Sequence, residues 1–114
     1  MIKIDENLTV TSPVGFKASG IHCGLKKSLL KKDLALIYSD VVATSCGVYT
    51  KNKVKGAPLT ITKQHLINKK AQAIIINSGN ANTCNGDDGL SKAKKMTHLC
   101  AKMCIRDSKW QVAS

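Results

Sequence analysis

Apolar and polar positions along the chain change period part-way, and the change separates predicted strands from a predicted helix. Residues 71–76, AQAIII, form the strongest apolar run; its length and isoleucines predict a strand buried on both faces and ending at Asn77. Upstream, Asp33 opens DLALIYSD, a second apolar run of strand length closed by an acidic turn residue. The run GFKASGIHCG over 15–24 keeps small residues at almost every other place, which fits a strand with close neighbours, with Gly20 and Gly24 marking a bend or bulge. Lys26, Lys27, Lys31 and Lys32 lie between these two runs and read as the solvated connection of a hairpin, with a binding patch as the weaker alternative.

Past residue 86 the spacing becomes helical. Leu90, Ala93, Met96, Cys100, Met103 and Cys104 share one face, and Lys92, Lys94, Lys95 and Lys102 occupy the other, which predicts an amphipathic helix of about four turns. Asp87 and Asp88 stand where a cap and first-turn carboxylate complement the helix dipole. Between the two halves, VVATSCGVYTKN fits a strand or a short helix equally. Ala57 precedes Pro58 and is restricted towards extended backbone, after which Thr62 is expected to cap a short helix through Leu66 and Ile67. Asn68, Lys69 and Lys70 are expected to end it. Residues 1–13 alternate loosely and close in a turn at Thr11, Ser12 and Pro13. Trp110, Gln111, Val112 and Ala113 begin another extended segment that stops at Ser114. The sum is an α/β layered strand-and-helix sandwich fragment with an incomplete sheet, a single partial domain over residues 1–114 with no linker and no repeat.

Composition narrows this further. The 114 residues are 43% hydrophobic and 22% charged, the usage of a folded soluble domain. Phe16, Tyr38, Tyr49 and Trp110 are the whole aromatic set, so the core must be built from small and aliphatic side chains. A formal charge of +11 raises the prospect of a nucleic-acid-binding module. Against it, Arg106 is the only arginine, the lysines are spread along the chain, and no aromatics alternate with them to stack bases. Five cysteines form an odd set without a Cys-x-x-Cys pair, which argues against a disulfide framework and a zinc finger. No secretory leader pattern opens the chain, and no run approaches the roughly 18 apolar residues of a membrane span, so a reducing cytoplasm is the expected compartment.

The segment richest in chemistry is IIINSGNAN over 74–82, where a strand delivers Asn77, Asn80 and Asn82 with Ser78 and Gly79 into one tight loop. Asn and Gly tolerate positive φ, so such a turn can expose successive N–H groups, while the side-chain amides supply donors and acceptors. That chemistry suits a carboxylate or a polarised carbonyl. A plain strand-ending turn is the competing reading, and composition alone favours it. Ser78 lacks the Gly-x-Ser-x-Gly context of a nucleophile and has no nearby base. His22, His65 and His98 are scattered, and His22 beside Cys23 is one adjacent pair rather than a ligand set. Cys100 and Cys104, one helical turn apart with His98 nearby, read as small core residues rather than soft-metal ligands. Asp87 and Asp88 lack the further oxygens of a calcium loop.

In order, GFKASGIHCGLKK, KDLALIYSD, NKVKGAPLTITKQHL, KAQAIIINSGNANTCNGDDGL and the terminal VAS resemble the amino-terminal region of the ornithine acetyltransferase family. These are the bifunctional glutamate N-acetyltransferases of the cyclic arginine pathway. The resemblance runs from about Thr11 to Ser114, with CIRDSKW over 104–110 fitting least well.

It implies a precursor that cleaves itself between Ala and Thr into α and β chains that stay assembled as an α/β hetero-oligomer. The new amino-terminal Thr of β is the implied nucleophile, taking an acetyl group from N-acetylornithine and passing it to glutamate. The oxyanion donors, a Thr-Gly pair, are implied directly after the segment matched by Val112, Ala113 and Ser114. On this resemblance no catalytic residue lies within the chain, which is expected to be inactive alone. Asn77, Asn80 and Asn82 are the candidates for a place near substrate. No cofactor or metal is implied, and whether acetyl-CoA is also a donor is left open. Neither a nucleic acid nor a membrane is among the expected partners.

Overall fold

The two most apolar runs pair with each other. β2 (Leu34–Thr44) and β3 (Lys70–Asn77) lie antiparallel, with Leu34 opposite Asn77 and Leu36 opposite Ile75. β1 (Phe16–Ile21) joins the other edge of β2, running from Phe16 opposite Ser39 to Ile21 opposite Leu34. The computed structural model describes residues 5–104 and 112–113. At the far edge the two-residue β4 (Val112–Ala113) pairs parallel with β3, which gives the sheet order β1-β2-β3-β4. Trp110, Gln111 and Ser114, read with this segment in the sequence, lie outside the described residues.

The lysine-rich stretch between β1 and β2 is the hairpin connection expected of it. Gly24 takes a φ of +93°, so the bend falls there, while Gly20 stays inside β1 opposite Ala35. β2 does not end at Asp40. Its register shifts between Tyr38 and Ala43, and it resumes with Ala43 opposite Ala71. A bulge therefore re-aims the strand where an acidic residue suggested a stop. Asp40 is held at the bulge by its N–H donating to the Gly15 carbonyl at 2.8 Å and by a 2.6 Å pair with exposed Lys17.

α1 (Ala57–His65) corrects the reading of residues 57–62 as extended. Gly56, with extended φ of −66° and ψ of 145°, is the cap, and Pro58 sits in the first turn, where a missing N–H costs no helical bond. The Ala57 N–H donates to the Asn82 carbonyl at 3.0 Å, which fixes the helix start against a distant loop and outweighs the pre-proline preference. Thr62 thus lies inside the helix rather than at its cap.

α2 (Gly86–Cys104) is the predicted amphipathic helix, a turn longer than expected at 19 residues. Asp87 and Asp88 occupy its first turn. It crosses one face of the sheet, packing Cys100, Met96 and Ala101 on Ala73, Ile75, Leu34, Leu36 and Tyr38. Ala93 and Thr97 are also buried, and α1 packs against α2 with Ile61 fully enclosed. The core is small and aliphatic, as the scarcity of aromatics required.

Burial of β3 on both faces is not observed. Ala73 and Ile75 face α2 at 2% and 8% exposure, whereas Ile74 and Ile76 point the other way at 42% and 45%. Side chains alternate across a strand, so a helix on one side covers only every second residue. Among the described residues, nothing covers Ile74 and Ile76.

Candidate functional site

β3 delivers its last residue, Asn77, to the end of the sheet where β2 begins, and the following loop folds back on itself. The Asn77 Nδ2 donates to the Asn80 carbonyl at 3.1 Å and closes a turn in which Gly79 has a φ of +105°. Gly79 is required twice over: a Cβ there would be strained by that φ and would lie 2.8 Å from Lys26 Cγ. The Ser78 N–H donates to the Asp33 carbonyl at 2.8 Å, so the loop is tied to the start of β2. The Asn80 side chain is exposed, and among the described residues its amide makes no hydrogen bond.

Asn82 turns away from this pair. Its Nδ2 donates to the Gly89 carbonyl at 2.8 Å, and its Oδ1 accepts from Asn85 Nδ2 at 3.0 Å. Its carbonyl takes the Ala57 N–H, and Thr83 bridges to Gly56, so this half of the loop joins the starts of α1 and α2. Gly89 permits the approach, since a Cβ on it would sit 2.6 Å from Asn82 Oδ1. The structure therefore brings Asn77 and Asn80 into one turn and gives Asn82 a different set of neighbours. Two of the three side-chain amides hold the loop together, and the Asn80 amide faces solvent with donors and acceptor unspent.

The sequence reading missed Asp33. It is 2% exposed, one of few buried charged residues, and lies directly beneath this loop. Its Oδ1 accepts the Cys23 N–H at 2.7 Å and its Oδ2 the Lys26 N–H at 2.9 Å, with His22 Nδ1 3.2 Å from Oδ2. Burial opposes the charged form, but the N–H groups of Cys23 and Lys26, the Cys23 thiol and the neighbouring imidazole outweigh it. Together they hold the carboxyl well below the usual carboxylate range. The same contact pushes the Cys23 thiol up: its hydrogen bond to Asp33, then burial and the negative charge, favour the protonated form. No local pattern advertises this knot, because its donors lie seven and ten residues upstream of Asp33.

The remaining candidates resolve simply. Among the described residues no three of His, Cys, Asp and Glu converge as a metal site. Cys100 is buried in the core, and the side chain of Cys104 lies outside the described residues. Asp88 pairs with Lys92 one turn on at 2.6 Å. Two hollows of about 370 and 380 Å³ are present, one apolar between α2 and the β1 side of the sheet, the other beside Lys55, Lys63 and Tyr49. Neither is lined by Asn77, Asn80 or Asn82. The polar loop is an open surface, so it can orient a ligand but not enclose one.

The model of the ArgJ family matches residues 17–114. The chain belongs to the ArgJ family. Among its ArgJ relatives, the arginine biosynthesis bifunctional protein of Geobacillus kaustophilus is 47% identical over 95 residues, covering 82% of this chain and 23% of that protein. The solved ArgJ structure from Bacillus halodurans superposes with a TM-score of 0.84 at 44% identity, covering 91% of this chain and 53% of that one. A Mycobacterium tuberculosis ornithine acetyltransferase solved with ornithine gives a TM-score of 0.81 at 35% identity, covering 91% of this chain and 56% of its own. The layered α/β fold is thus that of the ArgJ structures. The chain spans about a quarter of the length of the curated ArgJ relatives it matches. The lysine-based nucleic-acid reading finds no support in this membership.

Proposed function

We propose that the complete protein transfers an acetyl group from N-acetylornithine to glutamate in arginine biosynthesis, through an ester on a threonine outside this chain. Membership of the ArgJ family carries the proposal. The threonine hydroxyl attacks the acetyl carbonyl of N-acetylornithine, the C–N bond breaks, and ornithine leaves with the proton. The glutamate amine then attacks the ester and restores the hydroxyl. No cofactor is required by this exchange, and acetyl-CoA enters only as an alternative donor.

Residues 1–114 supply scaffold and one wall of the site as a single partial domain. Asn77 and Asn82 shape the loop, and the Asn80 amide faces a polar group of the substrate. The partner is the self-cleaved β chain in an α/β hetero-oligomer. Coverage supports two chains: the same segment fills about a quarter of the curated relatives but over half of each solved chain, so the solved polypeptides are near half-length. The cytoplasm is the proposed compartment; among the described residues no helix is long and apolar enough to cross a membrane.

The test is acetyl transfer by the complete protein from N-acetylornithine to glutamate, with acetyl-CoA offered separately as donor. Replacement Asn80→Ala should raise the KM for substrate by about tenfold, the usual value of one hydrogen bond to a polar group. An unchanged KM and kcat would remove Asn80 from the site. Absence of transfer by the wild-type protein would remove the whole reading.

A further inference from the structure

Asp33 stands where two segments distant in sequence cross. Its carboxylate takes the N–H groups of Cys23 and Lys26 and thereby shapes the turn over residues 22–26. Its own carbonyl takes the N–H of Ser78, the first peptide of the loop after β3. The turn shaped by the carboxylate places the Lys26 stem under Gly79, where even a methyl group would lie 2.8 Å from Cγ. Lys26 is anchored at its far end as well, Nζ donating to the Lys32 carbonyl at 3.1 Å. One residue thus fixes both the floor beneath the loop and the loop's point of attachment.

We infer that Asp33 is a positioning residue for the loop over 77–82, setting through the 22–26 turn and Gly79 the direction in which the Asn80 amide is presented. The inference rests on the acetyl-transfer reading above. Asp33→Asn is the informative change, because it keeps the volume and the carbonyl bond to Ser78 but turns one acceptor oxygen into a donor. Either Cys23 or Lys26 then faces an NH₂ group, and the turn must shift.

In the complete protein, Asp33→Asn should raise the KM for N-acetylornithine about tenfold while kcat changes by less than about threefold, the pattern of lost substrate orientation. Cys100→Ala, which loosens the core without touching the turn, should lower thermal stability and leave KM unchanged. Because Asp33 acts through Asn80, the double variant with Asn80→Ala should show the KM of Asn80→Ala alone. Multiplying effects would overturn the inference. If Asp33→Asn does not fold, Lys26→Ala keeps the N–H that Asp33 accepts and removes the stem beneath Gly79; it should raise KM severalfold, and a wild-type KM there overturns the inference. A wild-type KM for Asp33→Asn in an enzyme where Asn80→Ala raises KM overturns the positioning role alone. Loss of transfer in the wild type, or an inert Asn80→Ala, brings down the reading beneath it.

Discussion

A buried carboxylate with two backbone donors ties its ionisation to the folded state. Asp33 has a folded pKa below its unfolded value, so its stabilising contribution is complete above the unfolded value near 3.9 and is lost as pH falls towards the folded one. Urea midpoints measured from pH 7 down to pH 2 should therefore fall more steeply below about pH 4 in the wild type than in Asp33→Asn. The Cys23 thiol, held protonated by the same carboxylate, should be alkylated at pH 8 more slowly than in the Asp33→Asn variant, where the hydrogen bond and negative charge are gone. Mass spectrometry of the labelled peptide reads this directly. At Gly89, a Cβ 2.6 Å from Asn82 Oδ1 leaves no room, so Gly89→Ala should cost about 1–3 kcal/mol by denaturant titration. None of these positions stood out in the sequence. Asp33 looked like the first residue of an apolar strand, and its partners are reached only after the hairpin has formed.

At the scale of elements, legibility followed the range of the forces involved. α2 was readable because its apolar positions recur every three to four residues over 19 residues, a signal that needs no tertiary partner. β1, the hairpin connection and β3 were readable for the same reason, as short runs bounded by Gly, Lys and Asn. α1 was displaced by five residues because a local rule about Pro58 competed with a long-range bond from Ala57 to Asn82. The bulge in β2 was invisible because Asp40 serves a ladder shift rather than a turn. The helical placement of Pro58 has a measurable consequence. Pro58→Ala should change stability by less than about 1 kcal/mol, whereas Thr62→Pro, within the same helix, should cost about 3 kcal/mol. Had residues 57–61 been extended, the penalties would differ far less.

For the whole molecule, the resemblance carried by INSGNAN and GDDGL led to the ArgJ family, while the burial pattern required the sheet to be seen. Isoleucines at 74–76 promise two covered faces; the described residues cover one. Exposed Ile74 and Ile76 make this chain by itself a surface for apolar probes. Residues 1–114 should enhance the fluorescence of a hydrophobic dye, and the double change Ile74→Lys with Ile76→Lys should remove about half or more of that signal. The fold should persist, because neither side chain lies in the cluster of Ala73, Ile75 and Cys100.

The bond from Ser78 N–H to the Asp33 carbonyl extends the antiparallel ladder one step past the last paired residues, Leu34 and Asn77. A loop amide is thereby enrolled in the cooperative unit of β2 and β3. Its hydrogen exchange should follow the opening of those strands rather than the faster fluctuations of exposed neighbours. Recognition by such a loop is governed on the timescale of sheet opening, and the residues around it inherit the persistence of the ladder.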